Sequence, residues 1–187
     1  NKAYDDASEW RHHSVLLLSP DGGRTWPRHS LTSGDPQNRV FYWDQRPSVL
    51  SGGGILDVFW TFDTATSGYL PIHACESRDL GATWTAPWNT GVPGQPAPPV
   101  GLPGGQILLV YVDRTGTPEI KLRVSRDGGR TWPAETEGTI ARPDLASQST
   151  AKGTMQDTWA EMERFSLGLP AATALDDGTL LVVYYSG

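Results

Sequence analysis

The sequence predicts an all-β fold, a propeller of four-stranded antiparallel blades, on two kinds of internal repeat. The first is an octet of pattern S-x-D-x-G-x-T-W. It occurs as Ser19-Pro-Asp-Gly-Gly-Arg-Thr-Trp26, Ser77-Arg-Asp-Leu-Gly-Ala-Thr-Trp84 and Ser125-Arg-Asp-Gly-Gly-Arg-Thr-Trp132. The copies begin at 19, 77 and 125, and a period near 50 marks a repeat architecture. The second is a short strand, a Gly-rich turn and an apolar strand ending in aromatics: 46–60, 98–112 and 169–185.

Each octet reads as a tight turn. An Asp two residues before a Gly caps nearby backbone N–H groups, Gly takes positive φ at little cost, and the Trp offers an apolar face to pack. A strand-like run precedes each copy: 14–18, 70–75 and 119–124, the last alternating apolar and polar in the manner of a half-buried strand. Joining the units gives strand A, turn, strand B, loop, strand C, octet turn, strand D. That is one propeller blade.

The chain divides on this repeat into a C–D half (10–33), two full blades (45–88 and 95–135) and an A–B half (169–187). About three blades fall short of the four to eight that close a ring. The single propeller unit over 1–187 is therefore expected either to belong to a longer propeller or to be half of a six-bladed one completed by a second copy.

Composition narrows the function classes. A chain of 187 residues with 21 Gly, 15 Pro and 8 Trp fits many turns and stacked sheets, and Ala-, Glu- and Lys-rich helical stretches are missing. The net charge of −6, with no basic run, argues against nucleic acid. No apolar run approaches a membrane span. One cysteine, Cys75, excludes an intrachain disulfide and reads as an apolar filler. No metal cluster, phosphate loop or cofactor motif stands out. His12 and His13 are strand neighbours pointing to opposite faces, and His73 beside Cys75 reads as a core or interface residue.

The octets resemble the Asp-box, or BNR repeat, and the chain resembles the sialidase superfamily, in particular uncharacterised bacterial exo-sialidase-like proteins. The stretches Arg46-Pro-Ser-Val-Leu50, Gly94-Gln-Pro-Ala-Pro-Pro99 and Met155-Gln-Asp-Thr-Trp159 carry that finer likeness. The resemblance implies a six-bladed propeller, a carbohydrate ligand and, for an active member, an exo-glycosidase acting on acidic sugars. It also implies that Asp21, Asp79 and Asp127 are structural. A secreted or periplasmic location is compatible with it, and the compartment stays open.

A propeller binds ligands at one mouth, built by the lead-ins to the A strands and by the B–C loops. Around the first A strand these are Gln45 and Arg46. Arg46-Pro47 is similar to the sialidase Arg-Ile-Pro motif without its Ile, which implies a hold on the substrate carboxylate; the alternative is a salt-bridged loop arginine. Asp63, in the first B–C loop, stands where the resemblance implies the acid/base Asp. Tyr69 faces the pocket or packs the base of that loop. Asp113 and Arg114 occupy the second B–C loop, and Gln95 leads the second A strand, placed for a sugar hydroxyl. The segment 147–165 is a long connection before the last half-blade. Its Gln156, Asp157 and Trp159 supply hydrogen bonds and a stacking face, and Glu161 is a candidate base for a nucleophile.

Sialidase chemistry uses three arginines, a Tyr–Glu nucleophile pair and an Asp, the Tyr nucleophile departing from the two-carboxylate pattern of most glycosidases. The chain offers Arg46, Arg114, Arg123, Arg142 and Arg164, but no tyrosine in the expected setting. Three readings follow: an acidic-sugar glycosidase, a non-catalytic Asp-box propeller that binds glycan or protein, or a fragment inactive without further blades.

Overall fold

The computed structural model describes residues 11–143, 154–164 and 167–187. Four antiparallel sheets follow one another along the chain. The first pairs β1 (His13–Leu18) with β2 (Arg28–Gly34). The second runs β3 (Val40–Val49), β4 (Ile55–Asp63), β5 (Gly68–Ser77) and β6 (Trp88–Asn89), in that order. The third is built on β9 (Ile107–Asp113). Two short pieces, β7 (Gln95–Pro96) and β8 (Val100–Gly101), pair with one edge of it, and β10 (Glu119–Ser125) and β11 (Gly138–Ala141) extend the other side. The fourth pairs β12 (Leu167–Ala174) with β13 (Leu180–Ser186). The break between β7 and β8 falls at Pro98 and Pro99, which have no N–H to give a ladder.

One element departs from the all-β expectation. The connection before β12 contains a helix, α1 (Met155–Arg164). Its start is capped reciprocally: the Thr154 N–H donates to Asp157 Oδ2 at 2.9 Å, and the Asp157 N–H donates to Thr154 Oγ1 at 3.3 Å.

The sheets pack face to face. Leu56, Val58, Ile72 and Ala74 of the second meet Ile107, Leu109, Tyr111 and Trp132 of the third. On its opposite face β9 sends Leu108, Val110 and Val112 against Leu167, with Ala172 and Val182 of the fourth sheet beside them. A strand covered on both faces is apolar at nearly every position, hence the run Ile107–Val112.

The octets form the turns that follow β1, β5 and β10. In the third, Asp127 accepts from the Thr131 N–H (2.9 Å), the Thr131 hydroxyl (2.6 Å) and the Ser125 hydroxyl (2.8 Å), while the Gly129 N–H donates to Ser125 Oγ (2.9 Å). The other two repeat this network around Asp21 and Asp79. The turn also spaces the sheets. Gly129 has φ +86, and a Cβ there would lie 2.7 Å from Leu56 Cδ2 of the neighbouring sheet. Gly is needed both for the backbone angle and for the close approach.

Candidate functional site

A bulge in β3, the start of β7, the start of β12 and the residue after β9 are brought together, Gln95 reaching Asp44 and Arg114 reaching Leu167. Midway along β3, where the sequence predicted a lead-in loop, the register with β4 breaks between Trp43 and Arg46, leaving Asp44 and Gln45 as a bulge, with Asp44 at φ +45. Gln45 Nε2 donates to Asp57 Oδ2 at 2.7 Å. Asp57 is wholly buried, opposite Cys75 on β5. Burial pushes its carboxyl up to about 7, against the pull of Gln45 and the Arg46 N–H. Across the gap to the next sheet, Gln95 Nε2 donates to Asp44 Oδ2. Gln95 is 4% exposed, and the preceding Gly94 (φ +98) lies so close to the Val112 carbonyl that a Cβ would fall on its oxygen.

The two acidic residues ending β4 and β9 are committed. Asp63 takes both Arg39 Nε (2.9 Å) and Nη2 (2.7 Å), and the Ala65 N–H at 2.9 Å. The Arg39 hydrogen bonds hold its carboxyl well below the usual range. Burial pushes Asp113 up, but Lys121 Nζ at 2.7 Å and the Thr115 hydroxyl at 2.6 Å outweigh that and hold it down. Both are ionised acceptors at neutral pH. A general acid must carry a proton at working pH, so neither has the protonation state for that role.

Arg114 sits differently. It is 6% exposed, its Nη2 donates to the Leu167 carbonyl at 2.6 Å, and it lines a pocket of about 250 Å³. Burial lowers its guanidinium from the ordinary value, and Tyr185, Glu161 and Tyr69 act in the opposite direction. Gly168 makes room for this grouping: a Cβ there would lie 2.8 Å from Arg114 Nη2 and 3.4 Å from the Tyr185 hydroxyl. Trp60, Tyr69, Pro71 and Pro93 wall the same pocket, with Thr154 and Thr158 contributed by the α1 segment. Trp60 and Tyr69 stack at 4.2 Å between centroids and 7° between planes.

Of the residues predicted from sequence, Gln45 is bonded to Asp57 within its own sheet, and Gln95 reaches across to Asp44 of the second sheet. The structure puts Arg114 in the pocket, with Glu161 near enough to act on its charge. Arg46 is half-buried beside the bulge, opposite Val58. Gln156 and Trp159 are exposed on α1, and Asp157 is engaged in the helix cap. The side chain of Arg164 lies outside the described residues. Sequence reasoning passed over Trp60, Thr154, Thr158, Gly168 and Tyr185. The S/T-x-x-D signature at Thr154–Asp157 was the available signal for the last turn of the pocket wall. Among the described residues no three of His, Cys, Asp and Glu group as a metal site.

Solved structures match this arrangement of sheets. A protein of unknown function from Dyadobacter fermentans superposes with a TM-score of 0.65 at 24% identity, covering 94% of this chain and 42% of that one. A Hadza microbial sialidase gives 0.58 at 15% identity (95% and 37%), and the NanB sialidase of Streptococcus pneumoniae gives 0.55 at 19% (89% and 22%). An α-L-arabinanase from Penicillium chrysogenum, solved with arabinobiose, gives 0.52 at 19% (90% and 48%). The fold is sialidase-like. The chain spans less than half the length of each of these structures. No family model and no curated protein matches the sequence.

Proposed function

We propose that this chain is part of a carbohydrate-active, sialidase-like propeller whose mouth receives an acidic sugar, as an exo-glycosidase. The observation that carries the reading is Arg114, a nearly buried guanidinium lining a pocket walled by stacked aromatic rings. A desolvated arginine is strongly attracted to a carboxylate and can meet it with two parallel hydrogen bonds. The ring stack and prolines offer an apolar surface to the C–H face of a sugar. On this reading the octets are Asp-boxes, and the four sheets are a C–D half, two blades and an A–B half of a six-bladed ring. Further blades, supplied by a second copy or by more chain, complete the mouth. A screen of aryl glycosides comprising a sialoside, uronides and neutral hexosides tests the activity, with Arg114→Gln as control. Turnover confined to neutral glycosides, or acidic turnover unaffected by Arg114→Gln, overturns the reading. Solution mass tests the second copy: a monomer excludes self-completion by this chain.

The pairing of Asp63 with Arg39 and of Asp113 with Lys121 favours a second reading, glycan binding without turnover. Saturable binding of an acidic glycoside with no product release distinguishes it from the first.

A further inference from the structure

We propose that β13 of one copy of this chain pairs edge to edge with β1 of a second copy, antiparallel and with Val182 opposite Leu17. The product is one shared four-stranded blade, β12–β13–β1–β2. This rests on the blade division in the reading above and names the partner and the contact that complete it.

Both end sheets stop short. Among the described residues β1 pairs only with β2 and β13 only with β12, whereas β4, β5, β9 and β10 each have a strand on either side. An unpaired edge is a row of backbone donors and acceptors open to another strand. The run Leu180–Ser186 is apolar and rich in Val and Tyr, and it carries no charge or proline that would block such pairing.

The register comes from the two sheets that have all their strands. Leu50, Leu102 and Leu175 close equivalent hairpins, each N–H donating at 2.8 Å to the carbonyl of Gly54, Gln106 or Thr179. The residues that follow, Ile55, Ile107 and Leu180, are therefore equivalent. Ile55 lies opposite Ser77 and Ile107 opposite Ser125, in each case the first residue of an octet. Leu180 accordingly belongs opposite Ser19, which begins the first octet. That sets Leu181 against Leu18, Val182 against Leu17 and Val183 against Leu16.

The faces of the two strands agree with this register independently. Leu16 and Leu18 face the second sheet, where a Cβ on Gly81 would lie 2.7 Å and 3.4 Å from them. Val15 and Leu17 point the other way and are exposed. On β13, Val182 packs toward the third sheet, while Leu181 and Val183 point away from it and are about half exposed. In the shared blade Leu181 and Val183 join Leu16 and Leu18 beneath the second copy's second sheet. Val15 and Leu17 join Val182 against the first copy's third sheet. A slip of one residue would reverse every one of these faces.

The area is that of a stable dimer. Eleven of the fifteen large apolar side chains exposed among the described residues lie on the two end hairpins and their turns. Half exposed, each presents on the order of 80 Å², so one copy offers on the order of 800 Å², the share a partner contributes to a standard interface. Two-fold symmetry forms the junction twice and leaves neither edge open.

The test mixes single-cysteine variants of the 187-residue chain under mild oxidation, with solution mass measured across protein concentration. Cys75 is buried and stays in place. The expected result is a particle of twice the chain mass and a disulfide between Leu17→Cys and Val182→Cys. None should form between Leu18→Cys and Val182→Cys, whose side chains leave opposite faces. Leu181→Lys, at an exposed position in the single chain, should leave the circular dichroism unchanged and weaken the dimer at least about tenfold. A monomer at every concentration overturns the proposal and leaves the acidic-sugar reading standing. A dimer that links through Leu18→Cys instead, or through neither, overturns the shared blade. The glycoside screen repeated on the disulfide-linked dimer separates the two readings: if nothing acidic is bound or turned over there, the sugar reading fails and the shared blade stands.

Discussion

Arg39 holds Asp63 with two parallel hydrogen bonds, Nε to Oδ1 at 2.9 Å and Nη2 to Oδ2 at 2.7 Å, and so ties the start of β3 to the end of β4. The resemblance to sialidases implies a proton-transfer role for this aspartate; in the structure it serves as a clamp between the two strands. Its carboxyl is depressed in the folded state, so its stabilising contribution is complete above the unfolded value near 4. That contribution is lost as pH falls through the lower folded value. Arg39→Gln is therefore expected to unfold at lower temperature than the wild type at pH 7, with the gap closing toward pH 2. A gap independent of pH would show that the ion pair contributes nothing.

Asp57 has the opposite sign. Its folded carboxyl is raised to about 7, so the folded protein holds the proton more tightly than the unfolded chain does. Its effect is absent below about pH 4. Destabilisation then grows as pH rises to about 7 and levels off above it, at roughly 4 kcal/mol as an upper bound. Asp57→Asn keeps the shape and the bond to Gln45 without the titration. Its midpoint relative to the wild type should rise between pH 5 and pH 8. Parallel pH profiles for the two proteins would show that Asp57 does not titrate in this range.

Gly94 sets how closely the chain entering β7 approaches β9 within the third sheet. It has φ +98, and any side chain would collide with the Val112 carbonyl. Gly94→Ala is expected to cost about 3 kcal/mol or more, because the obstruction is backbone and cannot turn aside. The strain falls beside the Gln95–Asp44 bond, so sugar binding by the fraction that folds should weaken as well. A variant as stable as the wild type would mean that β7 shifts without cost.

Much of the fold was legible because its signals are local. Each octet carries its own capping aspartate and glycine, and each A–B unit its own Gly-rich turn. The strand-like runs before the octets at 14–18, 70–75 and 119–124 accordingly fall in β1, β5 and β10, whereas β3 begins at Val40 and β11 spans Gly138–Ala141, outside the stretches that carry a local signal. The helix Met155–Arg164 was missed because polar residues fill an ordinary-looking loop, although its capping box was present in the sequence. At the site, Arg114 was legible as the residue following an apolar B strand. The partners of Asp63 and Asp113 were not. Arg39 is 24 residues from Asp63, and Lys121 reaches Asp113 across a strand pair, so both depend on cross-strand register rather than on motif. Aromatic stacking between Trp60 and Tyr69 depends likewise on the irregular register of β4 with β5.

The octets make a prediction by comparison among themselves. Arg24 and Arg130 occupy the same place in the first and third copies. Arg130 lies 3.8 Å over the Trp88 ring and pairs with Glu76 at 2.7 Å, while Trp88 Nε1 donates to the Gly129 carbonyl at 3.2 Å. The third turn is thereby fastened to the second sheet. The first turn has no such neighbour among the described residues, and its Trp26 is 55% exposed where Trp132 is 3% exposed. Arg130→Ala should cost about 1 kcal/mol, from the cation–π contact and a half-exposed ion pair, whereas Arg24→Ala should be silent in this chain. If Arg24→Ala also destabilises, a surface outside the described residues covers the first octet as the second sheet covers the third. Chemical denaturation of the two variants, measured at several protein concentrations, would then separate an intrachain surface from a second copy, because only the latter makes the cost of Arg24→Ala depend on concentration.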